Sequence, residues 1–530
     1  MMAMSKVFMV VQNDHDPRCD YSNGNDRIHA SIDSVGGLLL LDRFFQYVLV
    51  TLALSAGVLR SQAARALTLE VSGWGPVSGL NLAGPVPSWL GDDPIVGRLA
   101  CPALVRLEGD HLKNGALLLK ALPLVERTAT GDRWLLSLRP GLKWWSGSAI
   151  DAESLAGWLR DELPKILQER IGLKPSPMPV VSVVSPSVVS IQWQGAQKFG
   201  PYVMSGYSLS RSKDGKFECA GLYAAQAVPD GIDLVLNAGY AAVYSKIHLR
   251  AFSQSELSVD HRLSFLLAAQ VAEVKSKKPS GPSCQTKMEI PLISAIVWNS
   301  ASVMASSAPL RRGLTMATPR GDILRTAATD LGTLVSAPLL RVHPGYNPRN
   351  LVKPFNLVAA SELFEAAGLN QPHIGLPRVK TAGKGISLKI GRGSGRQELI
   401  EKILGDSYAS AGIETQFEDL QTKGITYDGV LLSLFIPWTS HDMYQMLQGP
   451  FPFASVNDKS LTEAAEAYAY SLTHEKPDFG LLRRVHDQWV EVEPWTVLMA
   501  HQYCVSGQGV KVPSKINTLD PDWFRRLTVD

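Results

Sequence analysis

The stretch GDRWLLSLRPGLKWWSGSAIDAESLAGWL, Gly131 to Leu159, constrains the fold of this chain more than any other. Trp134, Leu136 and Leu138 occupy every second position, the period of a strand with one buried face. The run stops at Pro140-Gly141, a turn dipeptide. Asp151 then stands where a helix cap belongs, because its carboxylate can accept from the unpaired first-turn amides. Leu155, Trp158 and Leu159 follow at i, i+3, i+4, with Leu163 one turn on, which predicts an amphipathic helix. Trp144 continues the even-numbered register and reads as core, whereas Trp145 reads as an exposed or rim residue.

The remaining pattern divides in two. Leu67 to Val71 reads as a strand, Gly73 to Pro87 as a Gly/Pro-rich loop suited to the wall of a cleft, and Asp93 to Leu104 as a helix. Strands at Val180–Val184, Val188–Trp193, Gly231–Asn237 and Lys246–Phe252 complete a β-rich portion. From about residue 255, helices at Glu256–Val274, Leu310–Met316, Leu357–Ala367 and Arg396–Ser410 alternate with strands at Leu292–Asn299, Ile386–Ile390, Ile413–Phe417 and Gly429–Phe435. That alternation predicts an α/β lobe with a partly parallel sheet. With 530 residues, 45% of them apolar and 19% charged, the chain is long enough for two or more lobes, each with its own core.

Arg43 to Ala66, RFFQYVLVTLALSAGVLRSQAARA, carries an apolar run from Phe44 to Leu59 behind an arginine and ends in a small-x-small pattern, Ala64-Arg65-Ala66. The run falls short of the roughly 18–20 apolar residues that span a bilayer, so it reads as a cleaved signal peptide (42–66) rather than an anchor. Residues 1–41 are polar and of mixed charge, an extension that a signal peptide does not explain. Cleavage near Ala66 would leave Cys101, Cys219, Cys284 and Cys504. Their spacings are wide and suggest no pair, and buried thiols are the expected state.

A net charge of +3 without long like-charge runs gives neither a nucleic-acid footprint nor a polybasic membrane patch. GRGSGR, Gly391 to Arg396, lacks GxGxxG spacing and reads as a tight strand-to-helix turn; no P-loop is present. There is no HExxH, no CxxC and no GxSxG, so neither a metal site, a cofactor nor a catalytic nucleophile with a paired base is expected, and a secreted hydrolase is the remote alternative. Aromatic and amide side chains in predicted loops are plentiful instead, among them Trp74, Tyr223, Asn299 and Trp438, residue types that suit a pocket for a small ligand.

The order of these pieces resembles the extracytoplasmic solute-binding proteins, family 5, of the peptide, dipeptide and nickel ABC importers. LRPGLKWWSGSAIDAESLAGWL is similar to the family's strand, RPG turn, loop and helix, and PALVRLEGDHLKNGALLLKALPLVE to the segment before it. CAGLY stands where the family has GTGPY. PLRRGLTMATPRGDIL, HPGYNP, FNLVAASELFEAAGL and YDGVLLSLF follow in the family's order, so the resemblance covers nearly the whole chain after the apolar run.

The resemblance implies an α/β, two-lobed type II periplasmic binding fold. Lobe I would comprise 67–250 and 495–530, with a small subdomain at about 99–179, and lobe II 251–494. Strands near Lys246–Phe252 and Trp495–His501 would form the hinge. It further implies a monomeric periplasmic receptor that delivers peptides or peptide-like solutes to an inner-membrane permease with a separate ATPase, by binding and not by bond-making. Trp74 and Trp438 would be stacking walls, with Tyr223 and Asn299 as polar contacts. The family's peptide binders carry an aspartate after the late strand for the ligand's ammonium; here FIPWTSHD places Pro437 there, leaving Asp442 as the substitute. The alternative within the same fold is a non-peptide solute: a sugar, an opine-like compound or a metal chelate.

Overall fold

The structure, a computed structural model, describes residues 67–74, 95–436 and 458–516, leaving out 109–110, 115–117, 129–130, 172–176, 195–199, 214–215, 238–241, 251–260, 268–270, 272–283, 329–330, 342, 368–385, 394–396, 421–425 and 472–477; beyond these it describes Phe524, Thr528 and Val529. The extension 1–41 and the signal-peptide reading of 42–66 lie outside the described residues.

The elements begin with β1 (Thr68–Ser72), a single helical turn α1 (Val96–Leu99), β2 (Val105–Glu108), β3 (His111–Asn114), β4 (Leu124–Thr128) and β5 (Gly131–Ser137). Helix α2 (Ala152–Ile171) leads to β6 (Val180–Ser185), β7 (Val188–Gln192), β8 (Ser210–Lys213), β9 (Lys216–Cys219), β10 (Tyr223–Val228), β11 (Gly231–Leu236), β12 (Lys246–Arg250), β13 (Arg262–Leu266) and β14 (Thr286–Trp298). Then come α3 (Ala308–Met316), α4 (Arg320–Ala327), β15 (Gly332–Thr333), α5 (Leu357–Ala366), β16 (Ile386–Arg392), α6 (Glu398–Ser410), β17 (Ile413–Asp419), β18 (Gly429–Phe435), α7 (Lys459–Ser471), α8 (Phe479–Val492) and β19 (Trp495–Gln508).

One sheet runs in the order β10-β11-β12-β1-β13-β19-β14-β18-β16-β17, with β15 beside β19. β1 is parallel to β12 and β13, and β16 is parallel to β17 and β18. At the first end, Leu69, Val71, Leu249, Leu263 and Phe265 share a core. At the other end the sheet is covered on both faces: Ile296, Leu388 and Leu431 pack with α3, α5 and α6, while Val297, Val430 and Leu432 pack with α7 and α8. Burial on both faces is why Leu292–Trp298 and Gly429–Phe435 read as nearly unbroken apolar runs.

β14 and β19 belong to both ends. Thr286–Glu289 pairs with Gln502–Val505, and Ile293–Val297 pairs with Trp495–Ala500; between Glu289 and Ile293 the register breaks, around Pro291, which has no amide proton to offer. The hinge pair expected from sequence is therefore corrected: β12 lies wholly among β11 and β1, and the strands that pass from one core to the other are β14 and β19. The helix expected over Glu256–Val274 is also corrected, because Arg262–Leu266 is strand β13, filling the sheet between β1 and β19. A short apolar run such as RLSFL fits both periods, and sheet pairing decides it. The helix expected over Asp93–Leu104 shrinks to α1, with Pro102 and then β2 ending it.

A second sheet, β4-β5-β7-β6, packs on α2 around Trp134, Leu136, Leu138, Trp144, Leu155, Leu159 and Val189. Asp151 caps α2 as its position predicts, accepting from the Ser154 amide at 2.8 Å. This core extends from Leu104 to Ala220, past the expected subdomain limit near 179. At its neck Cys101 and Cys219 form a disulfide, which corrects the expectation of buried thiols; Cys284 is an exposed thiol and Cys504 a buried one. Trp145 closes the same neck. It is half-buried, its indole N–H donates to the Ala100 carbonyl at 2.9 Å, and its ring lies 5.2 Å from Phe217. Gly221 completes the contact, since a Cβ there would fall 2.2 Å from the Ala100 oxygen.

The loop HPGYNP is clamped to α8 by two buried histidines. His343 Nδ1 accepts from the Gly345 amide at 3.1 Å, and His486 Nδ1 accepts from the Asn347 amide at 2.9 Å. Both are therefore neutral, which lets His486 Nε2 donate to Ser336 Oγ at 3.1 Å. Burial pushes His343 down to about 3 and His486 down to about 4, the latter opposed by Asp487; Phe479 and Tyr346 cover the two rings. Because the folded values lie below the unfolded histidine value, this stabilisation is complete above pH ~6.5 and is lost as pH falls from there toward 4, by on the order of 3 kcal/mol for each ring. Urea unfolding midpoints should thus drop between pH 6.5 and 4. His343→Asn and His486→Asn, which keep an acceptor that does not titrate, should flatten that drop; an unchanged profile would contradict the clamp.

Candidate ligand-binding site

In open α/β sheets, ligands bind outside the carboxyl ends of the parallel strands. Here β16 and β18 end beside the bend in β14, and a polar cluster collects there. Ser294 on β14 is in register with Ser433 on β18, their hydroxyls 2.7 Å apart. Ser294 Oγ also lies 2.8 Å from His501 Nε2 of β19, and Gln397, at the start of α6, donates its Nε2–H to Ser433 Oγ at 3.4 Å. Alternation puts Ser294 on the same face as Ile296 and Trp298, and Ser433 on that of Leu431, so both serines stand on the α6 side of the sheet.

Just across the bend, Glu289 accepts from the Thr333 hydroxyl at 3.1 Å, and β15 is held against β19 at Gly332–His501 and Thr333–Ala500. Burial pushes the Glu289 carboxyl up, against the pull of Thr333 and Arg341. Burial also pushes His501 down to about 4, so at neutral pH it is an uncharged imidazole, a hydrogen-bonding group and not a cation. Arg392, at the end of β16, is committed to Glu401 at 3.0 Å and to Asp419 at 3.2 Å. Ser294, Ser433, Gln397 and the uncharged His501 thus offer neutral donors and acceptors, suited to amide, carbonyl or hydroxyl groups of a ligand.

The Ser294–His501 contact is a serine–base pair that sequence reading did not foresee. Ser294 is only 1% exposed and its hydroxyl is shared with Ser433, so it is placed as a buried hydrogen-bonding group and not as a nucleophile presented to substrate. Among the described residues no group of three or more His, Cys, Asp or Glu is placed to hold a metal ion.

Of the residues expected from sequence, the three that are described, Trp74, Tyr223 and Asn299, are not gathered at one place. Trp74 follows β1 at the carboxyl ends of β1 and β13, 1% exposed, its ring 4.9 Å from Phe265 and 5.7 Å from Tyr503. Tyr223 opens β10, and its hydroxyl donates to the Tyr244 carbonyl at 2.6 Å. Asn299 lies at the opposite end of β14 from the bend, its amide donating to the Tyr427 carbonyl and its Oδ1 accepting from the Ala301 amide. Trp438 and Asp442, like Pro437, lie outside the described residues, as do the last three residues of GRGSGR. Sequence reasoning missed Ser294, Ser433, His501 and Gln397. The available signal was a lone serine interrupting each of two apolar strands, LISAIVW and GVLLSLF.

No protein-family model matches the chain, and no curated protein matches it in sequence. Solved structures do match it. NikZ from Campylobacter jejuni, in complex with Ni(L-His), is 15% identical with a TM-score of 0.65, covering 87% of this chain and 99% of that one. NikA from Brucella suis, in complex with Fe(III)-EDTA, is 13% identical with a TM-score of 0.66, covering 87% and 100%. The oligopeptide-binding protein AppA from Bacillus subtilis, in complex with a nonapeptide, is 12% identical with a TM-score of 0.62, covering 87% and 99%. Among the described residues no helix is long and apolar enough to cross a membrane. At these identities the likeness speaks for the architecture: a sheet shared by two lobes, an inserted subdomain and two connecting strands give this chain the α/β, two-lobed type II fold of the periplasmic binding proteins.

Proposed function

We propose that this chain is the exported substrate-binding component of an ABC importer, capturing peptides or peptide-like solutes and passing them to a membrane permease whose ATPase is a separate chain. The observation that carries the reading is the joint itself: two strands shared by two cores, with an uncharged polar cluster at the carboxyl ends of β16 and β18 beside their bend. A ligand held there is buried when the lobes close, and closure links occupancy to the surface offered to the permease. A peptide main chain supplies the alternating N–H and C=O groups that Ser433, His501 and Gln397 are equipped to meet.

In this reading lobe I comprises the first core, the subdomain through Ala220, β13, the start of β14 and the end of β19, and lobe II lies between the two connecting strands. Trp438 and Asp442 follow β18 directly and are proposed to face the ligand, with Trp74 beneath the opposite rim. The protein is monomeric, works by binding without bond-making, and is exported to the periplasm with cleavage near Ala66.

Isothermal calorimetry with a pool of short peptides tests this. Saturable binding is expected, and His501→Ala should weaken it about tenfold or more by removing a buried hydrogen bond. No heat from any peptide at millimolar concentration would sink the peptide reading. Gain of peptide affinity in Pro437→Asp would then identify the native solute as one without an ammonium group.

A further inference from the structure

Glu289 stands where the two lobes meet. Its neighbours on β14, Met288 and Ile290, belong to the first core, and it lies opposite Gln502 of β19. Its carboxylate reaches away from that core. It accepts from the Thr333 hydroxyl at 3.1 Å and from the Arg341 amide, at the two ends of a segment whose Val335, Ala337 and Leu340 belong to the core under α7 and α8. One side chain thus ties pieces of two different cores together.

A second contact crosses between the lobes, because α7 lies against α2 of the subdomain. The structure is therefore an arrangement in which the lobes touch away from β14 and β19, and in it Glu289 is half-buried. Separating the lobes at the joint returns the carboxylate to water, which solvates its charge.

The surroundings do not offset that burial. Arg341 is the charged group among the described residues that acts on Glu289, and it is exposed, its guanidinium donating to the Leu334 carbonyl at 2.6 Å. Lys287, two residues back on β14, is exposed, and His501, next to Gln502, is bonded to Ser294 and uncharged at neutral pH. Burial accordingly holds the Glu289 carboxyl above the ordinary glutamate range, against the pull of Thr333 and Arg341. A state that binds a proton more tightly is favoured as pH falls, and here that state is the one with touching lobes.

We propose that Glu289 is a proton-linked clasp of the lobe joint: taking up a proton favours the arrangement seen here, and releasing it favours opening. The proposal rests on the two-lobed reading of the joint and is independent of the solute.

Pulsed electron–electron resonance on the intact chain without solute tests it. Spin labels are placed at Asp161→Cys on α2 and Glu466→Cys on α7, both exposed positions, with Cys284→Ser removing the exposed thiol. At pH 5, where His343, His486 and His501 are still neutral, the short distance of touching helices should dominate. At pH 8 a longer distance should appear and the long-to-short ratio rise several-fold. Glu289→Gln, which keeps an acceptor for Thr333 and Arg341 without the charge, should show the short distance at both pH values. A labelled parent with the same distances at pH 5 and pH 8, a shift in the opposite sense, or a Glu289→Gln variant that still shifts would each overturn the clasp. Any of these would leave the solute reading to its own calorimetry.

Discussion

Replacing Glu70 by alanine is expected to cost about 3–5 kcal/mol of stability, the typical loss when one partner of a buried ion pair is removed. Glu70 is in the middle of β1, pointing out of a strand that otherwise reads as apolar, and is buried between β12 and β13. Its Oε1 lies 2.5 Å from Arg250 Nη2 and 2.9 Å from Arg262 Nε. Arg250 is itself buried, so truncating Glu70 removes the carboxylate that its guanidinium is paired with inside the sheet. The loss should appear as a lower urea midpoint with an unaltered slope. Because the penalty comes from the stranded charge and not from the missing attraction, the pair Glu70→Leu with Arg250→Met should recover most of it. A double variant as weak as Glu70→Ala would show that the ion pair itself, and not the avoidance of an orphan, stabilises the strand trio.

Removing the Cys101–Cys219 bond should cost a comparable amount. The cysteines are separated by 118 residues, and closing a loop of that length restricts the unfolded chain by about 4–5 kcal/mol in the chain-entropy model, with measured values for such bonds spanning roughly 2–5. Cys101→Ala with Cys219→Ala, compared with the oxidised parent in urea, reads the total. The location adds a second readout. Both cysteines lie in the first core, whereas the subdomain core begins at Leu104 and ends at Ala220, so the bond closes the two strands of a neck. Hydrogen exchange in the double variant should therefore quicken first at the neck, at Trp145, Cys219 and Ala220, and only later in β16 and β18. Uniform quickening along the chain would mean that the bond acts on the whole molecule and not on the neck.

How much of this was legible in the sequence follows from which interactions are local. The cap at Asp151, the inward face of Trp134, Leu136 and Leu138, the burial of Trp144 and the span of Gly429–Phe435 are decided within a few residues, and each came out as the pattern indicates. β13 did not, because five apolar-rich residues fit either period until β1 and β19 offer hydrogen bonds on both sides. The disulfide did not, because its spacing records only the length of an inserted subdomain, while the chain entering and leaving that subdomain does so at one point. The residues singled out by type as ligand contacts were aromatic or amide, and Tyr223 and Asn299 spend their polar groups on nearby carbonyls. The cluster at the bend was hidden differently. A serine in a buried strand is an inconspicuous residue until its register partner on the next strand is another serine, and that pairing exists only in the folded sheet.

β14 and β19 have one further consequence. Met288 and Tyr503 belong to the first core, Ile296 and Leu498 to a later one, and each pair is joined by a single short length of strand. Neither core can melt without pulling on a strand that the other still holds. The two cores are thus tied together in unfolding: loss of either ladder withdraws support from the other. Heating should register as one cooperative event in two lobes, not two events in sequence.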